Sequence, residues 1–331
     1  MLQIGLVGAG RMGSVHAAAL ARTDNAVLRA VYDPDGEKAR ALAERYGAAA
    51  LSAPEKLFDQ ELDALVIATP TYTHAEYLKE AHRAQLHVLC EKPLVRTADE
   101  LREIEAMFAH YPKVVMVGHT VRFFPEYEYA RDVLRAGELG ELGVLRLSRC
   151  AGLDAPADSW LFDFEKSGAV VLDLMIHDLD FVEWAVGPFE SLFAFKPRGS
   201  AAAQDMCLVI GRLSNGAIVH LEASWAEPPH TFYYAYEIAA SQGILDYDSR
   251  RSPAYSWEPH GVSPCHDARA LAFTPTMRTP YERQAEAFVN AVTNGNVAPI
   301  NLNDGARAVR LALAVLHSVA SGEPADVTSP E

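Results

Sequence analysis

Along the first 118 positions, apolar residues come in short runs separated by stretches of helical composition. Residues 2–7 (LQIGLV), 26–32, 64–68 (ALVIA), 86–90 and 114–117 read as buried parallel strands. Runs this short and this apolar need cover on both faces. Residues 48–51 read as an edge strand. Helices are expected at 14–22, from Pro34-Asp35 to Tyr46, from His74 to about residue 84, and at 98–108. Strands that alternate with helices predict a doubly wound parallel sheet, its last strand ending near Gly118.

The rhythm then changes. A helix at 125–136 leads into strands at 144–148, 191–195, 205–213, 217–225, 232–240 and 244–247. Ser214-Asn215-Gly216 marks a hairpin, because Asn-Gly tolerates positive φ, and Ser241-Gln242-Gly243 marks another. Helices at 279–293 and 304–321 follow, and the last eleven residues read as loose. The expected architecture is an α/β Rossmann domain over 1–120. An α+β domain with a large, mostly antiparallel open sheet fills 121–331. In 217–225 one face carries Ala217, Val219, Leu221, Ala223 and Trp225. In 232–238 one face carries Phe232, Tyr234, Tyr236 and Ile238, and the other still carries Tyr233 and Ala235. A sheet apolar on both faces needs cover on both. That points to a second subunit as cover for one face, with loops of the same chain as the competing cover.

Composition narrows the partners. Of 331 residues half are apolar, enough for two cores, and the net charge of −15 argues against nucleic acid or an anionic membrane. No run approaches the length of a transmembrane helix, and the N-terminus enters a strand without a basic region or cleavage site. A cytoplasmic protein is the expectation. Cys90, Cys150, Cys207 and Cys265 are scattered, with no C-x-x-C. They read as reduced thiols, not disulfides or a zinc site.

The chemistry begins at Gly8-Ala9-Gly10-Arg11-Met12-Gly13, which follows the first strand and opens the first helix. Gly8 makes the tight turn, Gly10 lets the backbone approach a pyrophosphate, and Gly13 lets helix and strand pack closely. The helix N-terminus offers free N–H groups to the phosphates. Asp33 lies 20 residues after Gly13, at the end of the second strand, where an acid can bond the adenosine ribose hydroxyls. It favours NAD over NADP, since a carboxylate repels a 2′-phosphate. Arg11, at the same end of the cofactor, could neutralise that phosphate and leaves NADP open.

Two more loops leave strand ends of the same sheet, at 69–74 and 91–93. Thr69 and Pro70 could press on the nicotinamide half of the cofactor. His74 could join them or could only bond the local backbone. Lys92, pinned by Pro93, would be a fixed cation able to hold a substrate hydroxyl or its oxyanion, against a surface salt bridge as the plainer role. In GAVVLDLMIHDLDF, Asp173, His177 and Asp180 are spaced i, i+4, i+7 on one helical face. A carboxylate beside an imidazole suits a general base. No further His or Cys clusters there, so a metal is not expected.

The glycine motif, Ala68-Thr69-Pro70 with His74, Glu91-Lys92-Pro93 and Asp173-x-x-x-His177 occur in the order seen in the Gfo/Idh/MocA oxidoreductases. The chain is similar to that family over nearly its whole length, and the Glu-Lys-Pro joined to the later Asp-x-x-x-His is the specific part. Residues 176–180 (IHDLD) resemble the inositol dehydrogenase branch. Gly118-His119-Thr120-Val121-Arg122-Phe123 departs from the Asn-Arg-Arg-Phe pattern common there.

The resemblance implies hydride transfer between a nicotinamide and a secondary hydroxyl of a sugar or cyclitol. Lys92 would position the hydroxyl, His177 take its proton and Asp173 orient the site. Cofactor contacts are implied at Gly8, Gly10, Arg11, Met12, Gly13, Asp33, Ala68, Thr69, Pro70, His74, Glu91 and Lys92. Arg122, Trp160 and Tyr281 are candidates for substrate contact. A cis Lys92–Pro93 bond and a dimer or tetramer through the open sheet are also implied. The alternatives are a non-catalytic sensor of NAD(P) and sugar, and a reductase of a keto-sugar or related carbonyl.

Overall fold

Six short strands form the sheet that opens the chain: β1 (Leu2–Val7), β2 (Ala26–Tyr32), β3 (Ala49–Leu51), β4 (Ala64–Ile67), β5 (His87–Glu91) and β6 (Val115–Gly118). Their order is β3-β2-β1-β4-β5-β6, and every pairing is parallel. Ile4, Leu6, Val66 and Ile67 are fully buried, as strands covered on both faces require. The connecting helices are α1 (Arg11–Leu20), α2 (Gly36–Tyr46), α3 (Glu55–Phe58), α4 (His74–Arg83) and α5 (Ala98–Phe108). Asp35 caps α2 through the N–H groups of Glu37 and Lys38, and Gly47 ends it in the left-handed region. Thr97 and Glu100 form a reciprocal capping box on α5. The order of strands reverses between β1 and β4, so the loops leaving β1 and β4 part at the switch point of the sheet.

This is a computed structural model, and it describes residues 1–197, 202–251, 255–259 and 278–328. Cys265 lies outside the described residues. Cys90, Cys150 and Cys207 are buried free thiols.

The second sheet is built from β7 (Leu142–Ala151), β8 (Phe189–Phe195), β9 (Met206–Leu213), β10 (Ile218–Ser224), β11 (Phe232–Ala240), β12 (Gly243–Asp248), β13 (Tyr255–Pro259) and β14 (Ala325–Asp326). They run in the order β13-β12-β11-β7-β10-β9-β8-β14. All pairs are antiparallel except β7 with β10, at the middle of the sheet. β14 corrects the expectation of a loose tail: Ala325 and Asp326 pair with Leu192 and Ser191. Two residues are too few for any alternation to show. Helices α6 (Pro125–Arg135), α7 (Phe164–Ser167) and α8 (Ile176–Ala185) belong to the same part of the chain. The sheet has two unlike faces. Val209, Val219, Leu221 and Ile238 are buried, while on the opposite face Phe195, Leu208 and Ile210 are 46%, 45% and 46% exposed.

Two helices complete the chain, α9 (Pro280–Asn294) and α10 (Leu302–Ser321). Here the structure departs from a single division near residue 120. It resolves into two compact units, Met1–Phe123 with Thr276–Val309, and Phe124–Pro275 with Arg310–Glu331. The return is held by specific bonds. The Val117 N–H donates to Ile300 O at 3.0 Å, and Met116 pairs with Asn301. Thr120 Oγ1 donates to Gln284 Oε1 at 2.6 Å, and Arg283 donates to Phe123 O at 2.8 Å. Gly305 packs where a Cβ would meet the Val117 side chain at 2.6 Å. No helix among the described residues is long and apolar enough to cross a membrane.

Candidate active site

Each glycine of the first loop has its own neighbourhood. Gly8 has φ +93°, and a Cβ there would lie 2.4 Å from Ala68 O. A Cβ at Gly13 would lie 2.0 Å from Gly8 O, so helix and turn touch with only hydrogen between them. A Cβ at Gly10 would meet nothing within 4 Å. That space is open to a ligand at the backbone, and it is the cradle a pyrophosphate requires. Gly10 gives α1 no side-chain cap, and no acid sits in the first turn to quench its positive end. Arg11 is exposed, and Met12 half-buried. Asp33 Oδ2 accepts the Ala9 N–H at 2.7 Å, and Oδ1 accepts the Asp35 N–H at 2.8 Å. The acid therefore holds the glycine loop against the end of β2. These residues fit a dinucleotide.

The next two loops are stapled together by His74. Its Nδ1 lies 2.8 Å from Pro93 O and its Nε2 2.9 Å from Thr69 O. Thr73 Oγ1 bonds both Thr69 Oγ1 and Pro70 O at 2.8 Å. His74 is fully buried, and that burial lowers its pKa against the pull of the two carbonyls. Direct cofactor contact by His74 is thus corrected: with no exposed surface, it acts through the backbone of Thr69 and Pro93. The Lys92–Pro93 bond is cis. Lys92 is half-buried at the end of β5. Glu91, beside it, is buried, with Oε1 2.6 Å from His16 Nε2 of α1.

Arg122 sits otherwise than a substrate ligand would. It is buried, and two of its nitrogens lie 3.3 Å from Asp304 Oδ1 in the first turn of α10. Asp304 Oδ2 also accepts the Asn301 N–H at 2.8 Å. The guanidinium is committed to holding the returning segment. Tyr281 of α9 is half-buried, with its ring edge-on to His16 at 6.5 Å.

In the second unit, Asp173 and His177 are half-buried in a segment whose other residues from Val170 to Asp180 are buried, Asp180 included. The regular helix expected here is interrupted. Val171–Met175 is a π-turn, and α8 starts only at Ile176. A π-turn holds about one more residue than an α-helical turn, so the angles along i, i+4, i+7 differ from those of a regular helix, while Asp173 and His177 remain the two half-buried positions of the segment. Ser167 Oγ accepts the Ala169 N–H at 2.9 Å, and Asp205 Oδ2 accepts the Val170 N–H at 3.1 Å. Trp225 Nε1 donates to Asp173 Oδ2 at 3.2 Å. Trp225 is buried, and its ring meets Phe162 edge-on at 6.4 Å. Trp160 opens a separate short 3₁₀ turn, Trp160–Phe162, and is half-buried.

Family models match both halves of the chain. A model described as "Oxidoreductase family, NAD-binding Rossmann fold" covers residues 2–119, and the GFO/IDH/MocA C-terminal domain covers 127–246. The chain belongs to the Gfo/Idh/MocA oxidoreductase family. Inositol 2-dehydrogenase 2 of Saccharopolyspora erythraea is 32% identical over 98% of this chain and 95% of its own length. A solved myo-inositol dehydrogenase from Corynebacterium glutamicum ATCC 13032 is 26% identical, covers 100% of both chains and has a TM-score of 0.82. A levoglucosan dehydrogenase in complex with NADH has a TM-score of 0.85 at 23% identity, over 99% of this chain and 100% of its own, and shows the shared fold.

For a Gfo/Idh/MocA protein, the residues that spacing misses here are supports. His16 lies on the buried face of α1 with Gly13, Ala17 and Leu20, and a lone histidine on such a face is its one sequence signal. Trp225 and Asp205 hold the Asp173 segment from strands far along the chain. Two results are expected. Asp33→Ser removes the carboxylate and narrows the preference for NAD over NADP, read by titrating both cofactors; an unchanged ratio assigns the preference elsewhere. Ala169 has φ +55° without being glycine. Ala169→Gly therefore stabilises the protein by about 1 kcal/mol, less any gain in unfolded-chain entropy. Denaturant titration checks it.

Proposed function

We propose that this protein oxidises a secondary hydroxyl of a sugar or an inositol-like cyclitol, with NAD as hydride acceptor. The observation that carries the reading is the joint presence of Lys92 at the end of β5, Asp173 in the π-turn and His177 in the first turn of α8, in a chain 32% identical to an inositol 2-dehydrogenase over nearly its full length. Bound NAD would supply an electrophilic nicotinamide carbon that takes the hydride. The glycine loop and α1 would hold its pyrophosphate, and Asp33 its adenosine ribose. Lys92 Nζ would hold the substrate oxygen and stabilise the negative charge that develops on it. His177 would take the hydroxyl proton, with Asp173 orienting the imidazole and Trp225 fixing Asp173. The products are a ketone, NADH and a proton, so atoms and charge balance.

The test is a panel of cyclitols and sugars with NAD and with NADP, following reduced nicotinamide by its near-ultraviolet absorbance. Oxidation of at least one cyclitol or sugar is expected, and Lys92→Ala abolishes most of it. Absence of turnover across the panel, with tight ligand binding, would favour a sensor.

The protein is also proposed to be a homo-oligomer through the face of the second sheet that carries Phe195, Leu208 and Ile210, since three large apolar side chains near half exposure on adjacent strands call for cover. Sedimentation measures it. Its buried free thiols suit a reducing cytoplasm.

A further inference from the structure

Two buried titratable side chains beside Lys92 have no part in the chemistry proposed above. His16 is 1% exposed and Glu91 6%. Burying an imidazole with a carboxylate is costly, and well-packed apolar residues would fill the same space at lower cost. The pair sits where α1, which starts at the glycine loop, meets the strand end that carries Lys92.

We propose that His16, acting through Glu91, is a positioning residue for Lys92, so that the cofactor-binding helix and the Lys92 loop are held as one rigid body. The proposal rests on the reading of Lys92 as the group that holds the substrate oxygen. Glu91 uses both oxygens: Oε1 lies 2.6 Å from His16 Nε2, and Oε2 accepts the backbone N–H of Lys92 at 3.2 Å. From β6, Gly118 backs the same carboxylate, and a Cβ there would stand 3.2 Å from Oε2. On the far side of Lys92, His74 holds Pro93 O. The loop is gripped on both flanks, from α1 and from α4.

The charged and titratable groups around Glu91 are His16 from α1, His74 from α4, and Lys92 and Cys90 on its own strand; Tyr281 of α9 faces His16 from behind. Burial alone would push the Glu91 carboxyl up. The His16 hydrogen bond, with the charges of His16, Lys92 and His74, outweighs burial and holds it below the ordinary value. Without His16 the opposing pull is weaker, and Glu91 takes up a proton at higher pH than in the wild type.

Three single variants, one double variant and one turnover-free measurement test this. In His16→Gln, kcat falls by about 10- to 100-fold through misplacement of Lys92, KM for NAD is unchanged, and the acid side of the kcat profile gains a second decline, steeper than the single limb of the wild type. Glu91→Gln loses a similar amount without the new decline, because an amide does not titrate. The double variant is no worse than the worse single one. Gly118→Ala keeps every titratable group but presses on Glu91; it lowers kcat with the wild-type pH shape, and serves if His16→Gln does not fold. In the cofactor-free protein, amide hydrogen exchange of a peptide spanning 92–95 is about tenfold faster in His16→Gln, the cost of one charge-assisted hydrogen bond, while β1 is unchanged. Unchanged exchange, or additive losses with a wild-type pH profile, overturns the proposal. A fully active Lys92→Ala would instead overturn the reading of Lys92 and leave the exchange result standing.

Discussion

His177→Ala lowers kcat for alcohol oxidation by about 10²–10⁴-fold, the usual worth of a positioned base. Hydride leaves a secondary alcohol readily only as its O–H is deprotonated, and water is a poor acceptor at neutral pH. An imidazole titrates near about 6.5 when unperturbed, so it is poised to accept that proton. The sign follows. Oxidation rises with pH as His177 loses its proton, and reduction favours the protonated ring. The alanine variant loses this limb. NAD affinity is expected to stay the same, because the residues proposed to hold the cofactor lie on the loops after β1, β2, β4 and β5 and not on α8. Lys92→Ala combined with His177→Ala is little worse than the worse single change, since residues acting as a unit are not additive. Near wild-type turnover with an unaltered pH profile in His177→Ala would make the histidine structural and leave Lys92 or a bound water as the base.

The next residue produces a large effect of a different kind. Asp178 and Arg149 are 1% and 2% exposed. Arg149 donates to both carboxylate oxygens, Nη2 to Oδ1 at 2.7 Å and Nε to Oδ2 at 3.1 Å, and Nη2 also donates to Tyr127 OH at 2.8 Å. The guanidinium lies over the rings of Tyr127 and Tyr234 at 5.6 and 5.3 Å. The pair ties α8 to β7. Asp178→Ala leaves a buried cation without its anion and costs about 3–5 kcal/mol of stability. Replacing both, Arg149→Met with Asp178→Leu, recovers most of that loss, because two charges are no longer desolvated. Urea titrations of the single and double variants decide it; a single-variant loss under about 1 kcal/mol would show that water reaches the pair. The two neighbours thus separate cleanly, His177 in rate and Asp178 in stability.

Much of the first sheet is legible in the sequence because both its faces are buried, so apolar runs coincide with strands. β1 and β2 fall where the pattern puts them, and β5 and β6 are one residue late. α3 and β14 are too short to carry a period. The π-turn is invisible because one residue added to a helical turn leaves composition and spacing unchanged. The return of 276–309 to the first unit is hidden for another reason: an apolar helix face says that it is covered, not by what. The candidate site divides the same way. Glycines, Asp33, Lys92 and the Asp173–His177 pair stand in local patterns. The bonds of His16 to Glu91, Arg149 to Asp178 and Trp225 to Asp173 span 75, 29 and 52 residues, and no local pattern announces them.

That return matters while the chain is being made. β6 is the last strand of its sheet, and its outer edge is closed by Ile300 and Asn301. A ribosome that has released residues 1–123 has delivered every strand of the nucleotide-binding sheet, yet Val115, Met116 and Val117 still present an open edge to any passing strand. The edge stays open until nearly 180 more residues have emerged, a count read from positions 123 and 301. Folding of the first unit during synthesis therefore leaves that edge open for a long stretch, and a fragment cut near residue 120 would inherit the same exposed edge.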